Sequence, residues 1–469
     1  MSRLREMLSD ELLRKALREG LAHGGEFAEV YAQDSVQTSL SLKEGTIRSA
    51  ESRSTLGAGV RVIVGEQTGY AYTDILTEES LLEAARTAGR IAVNGNSSEP
   101  AVLKIISHPT RYQPINSALG ETSLKAKLLM RADATARKAD PRVIEVQGSY
   151  TDDFKNILIA NSEGLLVEDE QPMVRMTVAA VAREGEKVHD GTYGAGGRTG
   201  LTLFERETPE MLAEEAARQA IVQLTAKDAP AGLMPVVIAN GWGGVLLHEA
   251  IGHGLEADFN RKGSSLYSGR IGEMVANKLC TVLDDATIEG QRGSLNIDDE
   301  GTLGQKTVLI DQGRLVAYMN DRLNGKLMEM PLTGNGRRQS YQSVPVPRMT
   351  STYLAAGDSD PEEIMRSVKK GLYAKFLGGG QVDITNGNFV FAVTEGYMIE
   401  DGKIGTPVRG ATLIGNGPDI LTKVSMVGTD MALDRGLGSC GKEGQWAPCN
   451  VGMPTVLVSE ITVGGTAIG

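Results

Sequence analysis

Ala226-Lys227-Asp228-Ala229-Pro230-Ala231-Gly232 divides the chain into two kinds of text. The stretch is small and polar and carries a proline, so it reads as a linker, with a domain boundary between residues 228 and 229. Just before it, Thr208-Pro209 supplies an N-cap followed by proline at the first helical position, and predicts a helix to about Leu224. Further back, helices are expected near residues 78–92 and 123–138, and strands at 143–150 and 157–161. Between Phe27 and Thr73 the apolar residues recur with period two: Val36, Leu40 and Leu42, then Val60, Val62 and Val64, then Tyr70 and Tyr72. Gly45, Gly65 and Gly69 punctuate this run, which predicts a meander of strands. A first helix opens at Ser9, a good N-cap, and carries Leu12, Leu13, Ala16 and Leu17 on one stripe. Beyond the linker the runs are short and rich in glycine. Hairpin turns are signalled at Asp311-Gln312-Gly313 and Asp401-Gly402, and only residues 361–370 and 419–424 read as helices. The expected class is α+β. Residues 1–228 form an α/β region, with about 1–115 and 116–228 as subdomains, and residues 229–469 form a β-rich, antiparallel, barrel-like domain.

The composition agrees. A length of 469 residues suits two or three domains, and 57 glycines exceed the ~7% typical of soluble proteins, as many tight turns require. With 48 basic and 60 acidic residues the formal net charge is −12, which disfavours a nucleic-acid coat or a binder of anionic membranes. Three cysteines, Cys280, Cys440 and Cys449, are too few for a disulfide framework and fit a reducing compartment. The opening residues lack the apolar core of a signal peptide. The most apolar stretch, residues 236–255, contains Asn240, Glu249, two histidines and five glycines and makes a poor membrane span. A cytoplasmic protein is expected, with no nucleic-acid or membrane partner.

Two of the five histidines fall in His248-Glu249-Ala250-Ile251-Gly252-His253, directly after an apolar run and the glycine turn Gly241-Trp242-Gly243-Gly244. Spacing is the test of this motif. Histidines at i and i+4 lie about 40° apart on an α-helix, but at i and i+5 they are about 140° apart and diverge. A regular helix cannot bring them together; a π-bulge or a break can, and Gly252 stands where an inserted residue would relax the ladder. Two histidines on a distorted helix suit zinc, which would lower the pKa of a water to about 7. Glu249 is placed to take a proton as general base. A catalytic zinc needs a third protein ligand. Cys440, in the glycine-flanked Gly438-Ser439-Cys440-Gly441-Lys442, is the first candidate, with Lys442 expected to favour its thiolate. Cys449 is the second, and Glu256 or Asp258 the third, these acids being better suited to support the ligands. Cys280, in an apolar run, reads as a buried thiol.

The motif continuing to Gly254-Leu255-Glu256-Ala257-Asp258-Phe259-Asn260-Arg261, together with Cys440-Gly441-Lys442-Glu443-Gly444-Gln445, resembles the TldD branch of the TldD/PmbA (TldD/TldE) metallopeptidases. So do Gly57-Ala58-Gly59-Val60-Arg61-Val62, Gly69-Tyr70-Ala71-Tyr72-Thr73, Gly334-Asn335-Gly336-Arg337-Arg338, Pro347-Arg348-Met349-Thr350 and Glu460-Ile461-Thr462-Val463-Gly464-Gly465-Thr466. The resemblance implies a β-rich C-terminal domain holding zinc through His248, His253 and Cys440, with Glu249 as general base. It also implies dimers, either with a second copy or with a TldE/PmbA-like subunit, and small unfolded or extended peptides as substrates. Two other classes remain open on the residues alone: a zinc amidase or deformylase-like hydrolase, and a non-catalytic zinc protein that regulates a partner.

Overall fold

The computed structural model describes residues 2–92 and 99–466. The N-terminal half is built on one seven-stranded sheet. Its order runs Gln67–Thr73, Thr46–Val64, Phe27–Lys43, Val143–Asn161, Leu165–Glu184, with Lys104–Ile105 and Lys187–Gly197 both pairing the last of these. Successive residues of a strand point to opposite faces, so each strand has an even-numbered and an odd-numbered side. The even side carries Val30, Leu40, Val60, Tyr150 and Val178, and four helices cover it. Asp10–Leu21 and Glu78–Ile91 pack on one half, and Thr122–Ala139 and Pro209–Thr225 on the other. The odd side carries Tyr31, Ile157, Ile159 and Val167, and meets Ile297 and Tyr341 from the C-terminal half. A two-faced sheet thus holds helices on one side and the rest of the molecule on the other.

Local signals explain most helix starts. Ser9 Oγ accepts from Leu12 N at 3.2 Å, and Thr208 Oγ1 from Met211 N at 3.2 Å; each such cap contributes about 1 kcal/mol. A further helix, Arg3–Met7, precedes the one expected at Ser9 and is capped by Ser2. The strands expected at 143–150 and 157–161 are one strand of 19 residues. Asp152, in the polar Thr151-Asp152-Asp153 between them, is buried and paired with Lys125 at 2.9 Å, so the strand runs on through it.

In the C-terminal half, Lys370–Val382, Gly232–Ile238, Val456–Gly464, Ala411–Asn416 and Asn388–Glu400 pair in that order, and the last returns to the first. The five strands therefore close into a barrel. Beside it lies a six-stranded sheet that includes Val282–Asp285, Ser351–Leu354 and Asn450–Met453. Both expected hairpins are present, with Gln312 and Asp401 at positive φ followed by Gly313 and Gly402. The strand after the first hairpin is only Arg314–Leu315; Met319 bonds instead to Leu255 and Ala257. The helix at Pro361–Ser367 is shorter than the sequence suggests, and the one at Gly417–Thr422 has the expected length but begins two residues earlier.

Candidate metal centre

Strand Gly232–Ile238 leads through a 3-10 turn at Gly241–Gly244 into the helical segment that carries the two histidines. The turn must be glycine: a Cβ on Gly244 would lie 2.4 Å from the backbone of Gly452. The segment buries Leu246, Leu247, Ala250 and Ile251 against Ile238, Leu354, Met453 and Val458. It then departs from α geometry, as the spacing demands. Val245–Leu247 is α-helical, His248–Gly252 is a π-turn, and His253–Leu255 is a 3-10 turn. The wide π-turn absorbs the additional residue and brings the imidazoles to one side, with ring centroids 5.1 Å apart. Gly252 is not needed for backbone freedom, since its φ of −55° is ordinarily helical. It is needed for space, because a Cβ there would sit 2.2 Å from Met349 Sδ.

Cys440 arrives from the far end of the sequence on a tight hairpin rather than a loose loop. Strand Ser439–Lys442 pairs with Gln445–Pro448, and Glu443 and Gly444 turn with φ of 50° and 72°. Arg348, fully buried, fixes the hairpin by donating to Cys440 O at 2.5 Å and Gln445 O at 3.4 Å. The result is one buried donor group: a nitrogen each from His248 and His253 and Cys440 Sγ lie within 4.8 Å of one another. His253 Nε2 is 3.4 Å from Cys440 Sγ and 3.8 Å from a carboxylate oxygen of the half-buried Glu249. The other side of His253 is held by Glu256, whose Oε2 accepts from Nδ1 at 3.1 Å. Lys442 Nζ pairs with Glu256 at 3.0 Å and Asp258 at 2.7 Å, and lies 4.4 Å over the Phe259 ring.

The charges follow from these contacts. Burial works against ionised Cys440, but His248 and His253 outweigh it and bring the thiol down to about 4. Burial likewise opposes Glu256, yet Lys442 and His253 hold its carboxyl at about 2. Lys442 therefore acts on Glu256 and Asp258, and the histidines, not Lys442, favour the Cys440 thiolate. Cys449 is buried outside the donor group. Burial and the neighbouring Cys440 push its thiol well up, with Arg337 and Arg292 opposing. Burial alone raises Cys280 to about 12. Glu256, read from the sequence as better suited to support the ligands, clamps His253; Arg348 was not singled out for its task, and nothing local in the sequence signalled it.

A borderline-soft metal ion fits this donor set. Two imidazoles and a thiolate are its usual ligands, and His248 Nδ1 is buried with no hydrogen-bond partner among the described residues. The sequence matches the models of domain 1 (residues 28–92), the central domain (121–224) and the C-terminal domain (231–465) of PmbA/TldA metallopeptidases. The chain belongs to this family. A Metalloprotease TldD homolog of Haemophilus influenzae is 47% identical, over 94% of this chain and 93% of its own length. A Zinc metalloprotease TldD homolog of Saccharolobus solfataricus is 28% identical over 87% of this chain and 90% of its own. The fold matches that of TldE from Thermococcus kodakarensis with a TM-score of 0.76, at 20% identity, over 97% of this chain and 100% of that one. The chain is thus a metalloprotease of the PmbA/TldD family. Among its described residues no helix is long and apolar enough to cross a membrane.

Proposed function

We propose that the chain is a zinc-dependent peptidase that cuts small unfolded or extended peptides. His248, His253 and Cys440 hold the zinc and Glu249 is the general base. The observation that carries this reading is the buried donor group itself, in which Cys440 joins two histidines 187 or more positions before it in the chain. Bound zinc supplies a Lewis acid that polarises a carbonyl and makes water nucleophilic near neutral pH. The chain's own residues do the rest. Glu256 keeps a proton on His253 Nδ1 and leaves Nε2 facing the centre. Arg348 and Lys442 fix the hairpin and its surroundings, so the thiolate has one position. Glu249, half-buried beside the donors, takes a proton from water and returns it to the leaving amine. An extended peptide binds by backbone hydrogen bonds, as an added strand, and is read weakly in sequence.

Residues 1–228, with parts at about 1–115 and 116–228, and residues 229–469 are the proposed domains. The proposed assembly is a dimer, with a second copy or with a TldE/PmbA-like subunit, in the cytoplasm. Metal analysis with a peptide assay tests the centre. Purified protein holds about one zinc per chain, and chelation removes activity reversibly. Glu249→Gln keeps the zinc and loses turnover. Normal cleavage by Glu249→Gln, or full activity without metal, overturns the reading.

A further inference from the structure

An acidic chain has gathered three arginines beside its metal hairpin. Arg175 stands on strand Leu165–Glu184 opposite Gly196, Arg198 directly follows strand Lys187–Gly197, and Arg292 lies in the segment after Val282–Asp285. Arg198 and Arg292 are only 3% and 8% exposed. Arg292 Nε donates to Gly438 O at 2.8 Å, two residues before Cys440. Arg198 lies 4.9 Å over the Tyr112 ring and reaches only Pro172 O, at 3.4 Å; its Nε and that of Arg175 are buried without a partner. Among the described residues no carboxylate comes within 4.0 Å of any of the three guanidinium groups. Buried charges in folded proteins are ordinarily paired.

Two acids that face the cluster, Asp434 and Asp153, do not fill that place. Asp434 accepts from the backbone of Gly436, Leu437, Gly438 and Val451 and from Asn450 Nδ2. Asp153 faces Arg198, Arg292 and Lys155 but stays beyond ion-pair distance, and burial raises its carboxyl. Lys155 is engaged with Gln339 O at 3.2 Å. Burial and repulsion from Arg175 and Arg198 bring Arg292 down to about 10. Among the described residues no counter-charge pairs with the cluster, and planar guanidinium groups are suited to carboxylates in two-pronged geometry.

We propose that Arg175, Arg198 and Arg292 form a subsite for a carboxylate of the peptide substrate. The inference rests on the peptidase reading above and deepens it. Gly438 ties Arg292 to the hairpin of Cys440, so an extended peptide laid along this hairpin reaches the subsite within a few residues of the bond that is cut. The carboxylate comes either from the peptide's C-terminus or from a glutamate or aspartate side chain.

Four versions of one unstructured peptide decide it, given to the full zinc-loaded chain: free C-terminal acid or amide, each with an internal Glu or Gln. The expected result is a KM about tenfold higher when the recognised carboxylate is neutralised, with kcat little changed. The acid–amide and Glu–Gln pairs tell the two sources apart. Peptide affinity of the zinc-loaded Glu249→Gln protein shows the same preference. Arg175→Gln, on a partly exposed strand position, and Arg292→Gln reduce that preference about tenfold. Equal KM for all four peptides, or a preference untouched in both variants, overturns the subsite and leaves the peptidase intact. No cleavage of any version overturns the peptidase reading and the subsite with it.

Discussion

His253 is gripped from both sides of its ring. Nε2 faces Cys440 and Glu249, while Nδ1 is held by Glu256, itself anchored by Lys442. A carboxylate in this position fixes both tautomer and ring orientation. Glu256→Gln should therefore lower zinc affinity by roughly 10–100-fold, read by chelator competition; the fold should persist, because Lys442 keeps Asp258 as partner. Unchanged affinity would show that packing alone orients the ring. The two cysteines separate on the same grounds. Cys440→Ser should lose most zinc and activity, since it removes the only thiolate of the donor group. Cys449→Ser should keep both, its thiol lying outside that group. A zinc-free Cys449→Ser beside a zinc-replete Cys440→Ser would reverse the assignment.

At the level of the element, the histidine segment shows what a sequence can disclose. The five-residue separation excludes a regular helix on geometry alone, and the structure supplies a π-turn at His248–Gly252. The task of Gly252 was not legible, because the atom it avoids, Met349 Sδ, is 97 positions away in the chain. Gly252→Ala should cost about 1–3 kcal/mol through overpacking, measured by denaturant unfolding, and Met349→Ala should restore part of it; no loss in the single variant would contradict the close approach. The meander at residues 27–73 was readable from period two, since Val30, Leu40, Leu42, Val60 and Val62 bury one face of its strands. The unbroken strand through Asp152 was not, because Lys125, which neutralises it, belongs to a helix elsewhere. The hairpin form of the glycine-flanked Cys440 stretch was not legible for the same reason: Arg348, which stiffens it, is distant in sequence. A further test lies at the helix Arg322–Met328, capped by buried Asp321. Burial and nearby Glu300 raise this carboxyl to about 7 from its usual 3.8. The folded state thus binds its proton more tightly than the unfolded state, and this stabilisation is complete below about pH 4 and lost as pH rises through about 7. Asp321→Asn, which can still cap, should gain in melting temperature relative to the parent between pH 5 and 8. A difference constant with pH would refute the shift.

Across the whole molecule, the two halves share a buried ionic cluster. Arg338 pairs with Glu29 at 2.5 Å, and Arg61 with Glu29 at 3.0 Å and Glu300 at 2.6 Å, all fully or almost fully buried. Glu29 and Arg61 come from the N-terminal sheet, Glu300 and Arg338 from the C-terminal half. Removing one member leaves the others uncompensated, so Glu29→Gln should destabilise the chain by about 3–5 kcal/mol in urea unfolding. A change below about 1 kcal/mol would mean that the arginines find other partners.

The barrel has a consequence for biosynthesis. Val456–Gly464 lies between Gly232–Ile238 and Ala411–Asn416, so the ring cannot close until that strand has left the ribosome. Until then Gly232–Ile238 and Ala411–Asn416 each keep an open edge, and the hairpin of Cys440 has only just emerged. A nascent chain stalled before residue 456 therefore displays two unpaired strands, a hazard that chaperones exist to cover.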